Sequence, residues 1–291
     1  MANKARPRRS VLYMPGSNAR ALEKARTIPA DALILDLEDA VAPDAKDVAR
    51  EQVCAALRAG GYGKREMVVR VNALDTPWGL ADLVAAAAMK PDAVLIPKVS
   101  SPAVLHQAEA LLDAQGAHDT ALWAMMETPL GILHAEAIAC ATPRLAVFIM
   151  GTNDIAKEVR AAHTPMRLPM ITSLGLCLLA ARAFGIGVID GVYNDFKDEA
   201  GFAAICRQGL ELGMDGKTLI HPSQVAPCNE IFSPSPTEVE TARKIIAEFA
   251  KPENAGKGVL TVDGRMTELL HAEMAKRTVA IADAIRELEA A

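Results

Sequence analysis

The sequence predicts an α/β fold, and within that class a (β/α)8 barrel with a C-terminal helical extension. Three observations support this. Eight short apolar runs follow one another, of the length and composition of strands buried on both faces. Ala-rich amphipathic stretches of helical length separate them. No G-x-G-x-x-G fingerprint follows the early strands, which weighs against the alternative, a doubly wound open sheet.

The predicted strands are Val11–Met14, Ala32–Asp36, Met67–Val71, Ala93–Pro97, Ala121–Met126, Leu145–Met150, Gly187–Asp190 and Lys217–Ile220. Asp44–Gly60 and Ser101–Gly116 are clear examples of the intervening helices. After the eighth strand come a helix near Ser223–Ile231 and a Pro-rich break at Ser233–Pro236. A helix near Thr237–Lys251 and a loop or short hairpin over Gly256–Arg265 follow, and a last helix runs from about Met266 to the end. Residues 1–232 are therefore expected to form the catalytic barrel. Residues 233–291 form a helical extension that either packs on it or reaches a neighbouring subunit's site.

Composition narrows the function classes. The formal net charge of −5 argues against nucleic acid or an anionic membrane as partner. The basic start, Asn3 to Arg9, reads as a solvated tail or a local site for a small anion. Cys54, Cys140, Cys177, Cys206 and Cys228 are scattered and never form C-x-x-C, which predicts reduced thiols in the cytoplasm and no thiolate zinc site. No signal peptide is legible. The apolar run Leu174–Ile189 is broken by Arg182 and three glycines, so it reads as a core helix entering a strand.

The polar residues gather where the predicted strands end, the face at which such barrels carry their active sites. Asp36, Glu38, Asp39, Glu127, Asp154 and Asp190 are expected to converge there with Arg70 and Lys98. Carboxylates so crowded repel one another unless cations neutralise them. A divalent metal would do so, and hard carboxylate ligands favour Mg²⁺ or Mn²⁺.

Seven ordered motifs then carry a resemblance: R-S-V-L-Y-M-P-G-S from Arg9, D-L-E-D-A-V from Asp36, R-V-N from Arg70, P-K-V from Pro97, M-E-T-P-x-G from Met126, G-T-N-D from Gly151, and K-x-x-I-H-P-x-Q from Lys217. The chain resembles the CitE-like acyl-CoA lyases of the HpcH/HpaI aldolase and citrate lyase β-subunit superfamily, strongly from Arg9 to Phe232. The resemblance implies a homotrimer or hexamer that uses Mg²⁺. It implies retro-Claisen cleavage of a β-hydroxyacyl-CoA, of malyl-CoA or citramalyl-CoA type, to acetyl-CoA and an oxo acid, glyoxylate or pyruvate. Glu127 and Asp154 would bind the metal, and Arg70 would contact the oxo acid and the forming enolate. Arg20 and Lys24 would meet CoA phosphates. The N–H groups following Gly151, at Thr152 and Asn153, would cradle the acid's carboxylate. Glu38 and Asp39 would hydrogen-bond metal-bound water, while Asp36 either joins them or caps the following loop. Glu268 stands where the family's G-x-M-x-D carries Asp. It is either the acid/base that protonates the enolate or a surface glutamate. Two other functions remain open: a malyl-CoA-type thioesterase on the same site, and a non-catalytic CoA-binding subunit. His221 reads equally as a structural or a substrate contact.

Overall fold

The structure, a computed structural model, describes residues 6–290. Eight parallel strands close into a barrel in sequence order: β1 Ser10–Pro15, β2 Ala32–Asp36, β3 Glu66–Arg70, β4 Ala93–Ile96, β5 Ala121–Met126, β6 Leu145–Met150, β7 Gly187–Asp190 and β8 Gly216–Leu219. Strand β1 closes the ring by pairing with both β2, Val11 opposite Ala32, and β8, Val11 opposite Thr218. Around them lie α1 Ala19–Lys24, α2 Lys46–Ala59, α3 Gly79–Met89, α4 Pro102–Ala114, α5 Pro129–Leu133, α6 Ala135–Ala139, α7 Thr152–Glu158, α8 Ile171–Ala183, α9 Glu199–Leu212 and α10 Val225–Phe232.

Strand side chains alternate between the barrel interior and the helix layer, because successive residues point to opposite faces. The interior is a small apolar cluster that includes Val11, Ile34, Val68, Leu95, Trp123 and Ile149. The larger core lies between strands and helices and includes Leu12, Leu33, Val69, Phe148 and Val188. Two ion pairs close the N-terminal end of the barrel. Arg9 is buried and grips Asp31 through Nε and Nη2, at 2.9 and 2.8 Å. Arg8 grips Glu66 at 2.6 and 2.8 Å and lies over the Trp123 ring. These two arginines are therefore neither a solvated tail nor an anion site, since their charges are satisfied by strand-end carboxylates. Residues 3–5 of that basic stretch lie outside the described residues.

The chain divides into two compact units, Arg8–Phe232 and a second one made by Ser233 onwards with Arg6 and Pro7. In the second, α11 Pro236–Ala250 starts from a capping box, Ser235 with Glu238, and has Pro236 in its first turn. A hairpin of β9 Val259–Val262 and β10 Arg265–Glu268 follows, then α12 Leu269–Glu289 packs on α11. The last helix thus starts three residues later than the sequence suggests, because Met266 pairs with Thr261 in the hairpin. Among the described residues no helix is long and apolar enough to cross a membrane.

Candidate active site

Period-two alternation decides which strand-end acids face the barrel mouth. Ala32 and Ile34 point inward, so Asp36 does too. Val68 carries Arg70 inward, and Trp123 and Met125 carry Glu127 inward. On β7 the inward residue is Ile189, which turns Asp190 outward. The six expected carboxylates therefore do not all converge. Asp190 is buried against α9, where Lys217 Nζ reaches its Oδ2 at 2.9 Å and Arg167 Nη1 its Oδ1 at 2.6 Å. Burial opposes its ionisation, yet Lys217 and Arg167 outweigh that and hold the carboxyl below its usual range. This is a structural triad behind the wall.

At the mouth, Arg70 neutralises the acids that follow β2. It is buried, and its Nε and Nη2 meet the two oxygens of Asp36 at 2.7 and 2.6 Å, the bidentate fork that suits guanidinium and carboxylate. Its Nη1 stands 2.8 Å from Glu38 Oε2 and 3.6 Å from Asp39 Oδ2. The Glu38 contact is an ion pair without hydrogen-bond alignment, for Oε2 makes no hydrogen bond. Lys98 Nζ holds the other Glu38 oxygen. Asp36 also caps the loop, accepting the Glu38 and Ala40 N–H groups at 2.9 and 3.2 Å. Of the two roles left open for Asp36, the structure shows the loop cap, and both of its oxygens are also engaged by Arg70.

The loop is braced from beneath by residues that sequence reading did not single out. Lys46 Nζ donates to the carbonyls of Leu37 and Glu38 and to Asn72 Oδ1, at 2.8, 2.7 and 2.7 Å. Asn72 in turn donates to Asp82 Oδ2 at 2.6 Å, and Arg50 satisfies the other Asp82 oxygen. A lone lysine at a helix start gives no signal of this, since its partners lie in two other loops.

Glu127 is different. It is completely buried, and its Oε1 accepts only the Lys98 backbone N–H, at 2.7 Å. Its Oε2 is buried with no hydrogen-bond partner. Burial, followed by the charge of Glu38, pushes its carboxyl up to about 8, and the charge of Asp154 adds to the shift. Two backbone features secure this arrangement. Lys98 sits at φ 52°, a left-handed conformation that costs a lysine about 1 kcal/mol, and there its N–H meets Glu127. Gly151 leaves the space beside Glu127: a Cβ there would stand 2.4 Å from Glu127 Cβ and 2.6 Å from Oε2.

These residues fit a divalent cation. Pairing with Arg70 and Lys98 accounts for Asp36 and Glu38, which leaves Glu127 with a bare oxygen and the half-buried Asp154 on the first turn of α7. Among the described residues no group of three His, Cys, Asp or Glu side chains is disposed to hold a metal. Two carboxylates match Mg²⁺, which commonly completes its shell with water and substrate oxygens.

The remaining expected site residues are placed as follows. Gly151 donates its N–H to Met126 at 3.1 Å, so the glycine contributes space and no free donor. Thr152 is buried and Asn153 exposed at the start of α7, which no side chain caps. Asn153 exchanges amide hydrogen bonds with Asn194 at 3.2 and 2.9 Å. Arg20 and Lys24 are exposed on α1, and neither forms an ion pair among the described residues. His221 has a structural role: its Nδ1 bonds Ser223 at 2.8 Å and its ring stacks on Phe196. Glu268 is half-buried in the second unit, where its backbone N–H donates to His271 Nδ1 at 3.0 Å.

A parallel (β/α)8 barrel with buried carboxylates and a buried arginine gathered at the strand ends defines the class of this protein. Residues 9–222 match the HpcH/HpaI aldolase/citrate lyase family. The chain belongs to that family. It is 54% identical over 290 residues, all of both chains, to the (3S)-malyl-CoA thioesterase of Cereibacter sphaeroides. It is 37% identical to citrate lyase subunit beta of Escherichia coli K12, covering 91% of this chain and 90% of that one. Among solved structures it is similar to CitE of Mycobacterium tuberculosis in complex with magnesium, acetoacetate and coenzyme A. There the TM-score is 0.77 at 26% identity, over 96% of this chain and 99% of the other.

Proposed function

We propose that this protein hydrolyses a β-hydroxyacyl-CoA of the (3S)-malyl-CoA type to the free hydroxy acid and CoA, with Mg²⁺ or Mn²⁺ held by Glu127 and Asp154. The observation that carries the choice of bond is the 54% identity, end to end, with a (3S)-malyl-CoA thioesterase. The orphaned Glu127 oxygen supports the dependence on a cation.

When bound, the cation polarises the oxygens of the hydroxy acid and draws off negative charge. The chain's own residues do the rest. The Lys98 N–H and the vacancy at Gly151 fix the Glu127 carboxylate. Asp36 orients Arg70, whose guanidinium faces the anionic acyl end, and Glu38 and Asp39 accept hydrogens from water around the acid. The N–H groups of Thr152 and Asn153 bind the acid's carboxylate, and Arg20 and Lys24 meet CoA phosphates at the exposed face of α1. Water adds its oxygen to the thioester carbon and the carbon–sulfur bond breaks. One proton goes to the CoA sulfur and one to solvent. Glu268 relays the first proton from the C-terminal unit of a neighbouring copy in a homotrimer or hexamer. It is flanked in its own unit by exposed Met266, Leu269 and Leu270, which suits a surface that docks elsewhere.

The second reading is carbon–carbon lysis to acetyl-CoA and an oxo acid. The likeness to citrate lyase subunit beta, and to a structure holding acetoacetate and coenzyme A, supports it. Product analysis with purified protein, Mg²⁺ and (3S)-malyl-CoA separates the two. Malate with free CoA is expected. Acetyl-CoA with glyoxylate would overturn hydrolysis in favour of lysis, and no turnover of malyl-, citramalyl- or citryl-CoA would leave a CoA-binding subunit.

A further inference from the structure

Tyr13 has no role in the site so far, and its position is unusual. It follows Val11 on the inward face of β1 and packs on the interior cluster. The Arg70 guanidinium carbon lies 4.7 Å from its ring centroid. Its hydroxyl makes one contact among the described residues, a weak one to Met125 Sδ at 4.0 Å.

That contact locates the hydroxyl. In the closed order β1 to β8, strand β5 is four strands from β1 in either direction, so the two face each other across the barrel. A side chain from β1 that touches one on β5 must place its tip near the barrel axis. Met125 precedes Glu127 by two residues on the inward face of β5, roughly 7 Å further down the strand. The phenol oxygen is therefore part of the floor of the mouth, beneath the space bounded by Arg70 and Glu127. Burial raises the phenol above its ordinary range, so it is a donor throughout neutral pH. A part-buried hydroxyl spent on a thioether leaves most of its hydrogen-bonding free energy unrealised.

We propose that Tyr13 binds substrate directly, its hydroxyl donating to the carboxylate at the acid end of the acyl group. This rests on the reading that the site takes a hydroxyacyl-CoA. The large nucleotide of CoA cannot enter the barrel, so the compact acid end is what reaches the floor. There Tyr13 supplies a neutral donor beside a guanidinium that is forked onto Asp36 and ion-paired with Glu38.

The test is calorimetric binding of malate, glyoxylate, pyruvate and acetate to the Mg²⁺-loaded protein, wild type against Tyr13→Phe. The variant keeps the ring under Arg70 and loses only the donor. Malate is expected to bind about ten- to a hundredfold more weakly to Tyr13→Phe, as for a hydrogen bond to a charged group, with binding of CoA alone unchanged. Equal malate affinities overturn the proposal, and so does failure of the wild type to bind any of the four acids. A second measurement needs no variant. Malate binding should shift the ultraviolet absorbance of one of the three tyrosines in the wild-type protein, and no shift overturns the proposal. If acid binding depends on Tyr13 while malyl-CoA is not turned over, the hydrolase reading falls and this one stands.

Discussion

Replacing Glu127 with glutamine tests the central electrostatic claim. The wild-type carboxyl is raised from 4.5 to about 8 in the fold, so the folded state binds its proton more tightly than the unfolded chain does. Stability from this group is fully present below pH 4.5 and is lost as pH rises towards 8. Each unit is worth about 1.36 kcal/mol, so roughly 2 kcal/mol disappears between about pH 6 and pH 8 in metal-free protein. Glu127 is completely buried, so solvent does not screen the effect. Glutamine keeps the shape and the acceptor for Lys98 N–H but cannot ionise. Urea unfolding of both proteins without metal, across that range, should show the stability difference moving by about 2 kcal/mol in favour of Glu127→Gln. The difference between the two proteins cancels the titration of the histidines. Mg²⁺ at about a hundred times its Kd should then return ~2.7 kcal/mol to wild type and little to the variant. A difference that stays flat with pH would refute the argument that an unpaired buried carboxylate waits for a cation.

Three further predictions use other parts of the site. Arg70→Met leaves Asp36 and Glu38 buried without their main cation, so denaturant unfolding should show a loss of about 3–5 kcal/mol; the loss of a mere surface pair would be under ~1 kcal/mol. Gly151→Ala pushes a Cβ into Glu127, and the Mg²⁺-dependent rise in thermal midpoint should largely vanish while the metal-free midpoint moves less. Mixing Asp154→Asn with Glu268→Ala protomers should restore part of the turnover that neither variant has alone, if Glu268 serves a neighbouring copy; no recovery after subunit exchange would remove Glu268 from the reaction.

The strands were readable because a parallel barrel buries them on both faces, and short apolar runs are the trace of that burial. Four segments, Ala32–Asp36, Ala121–Met126, Leu145–Met150 and Gly187–Asp190, coincide with the observed strands. Helix α12 starts at Leu269 and not near Met266 because Met266 and Thr267, which fit a helical pattern as readily as a strand, pair in the hairpin. The candidate site was legible as an inventory of acids at strand ends, three at the end of β2 and one each at β5, β6 and β7, but not as a charge balance. The pairing of Arg70 with Asp36 joins residues 34 apart, and that of Lys217 with Asp190 joins residues 27 apart. Lys46, Tyr13 and Arg167 carried no local sign of their roles, since each acts on partners from other loops or strands.

The order of chain elements, the closed barrel and the family were determined by sequence alone, because periodicity and motif spacing are local properties of the chain. Which acids are neutralised and which is left bare was decided only by tertiary structure. Coulomb energy and desolvation depend on distance and burial in space, and the same kind of carboxylate becomes a paired structural anchor at Asp190 or is left with a bare oxygen at Glu127 according to whether the barrel turns it towards a lysine or towards the mouth.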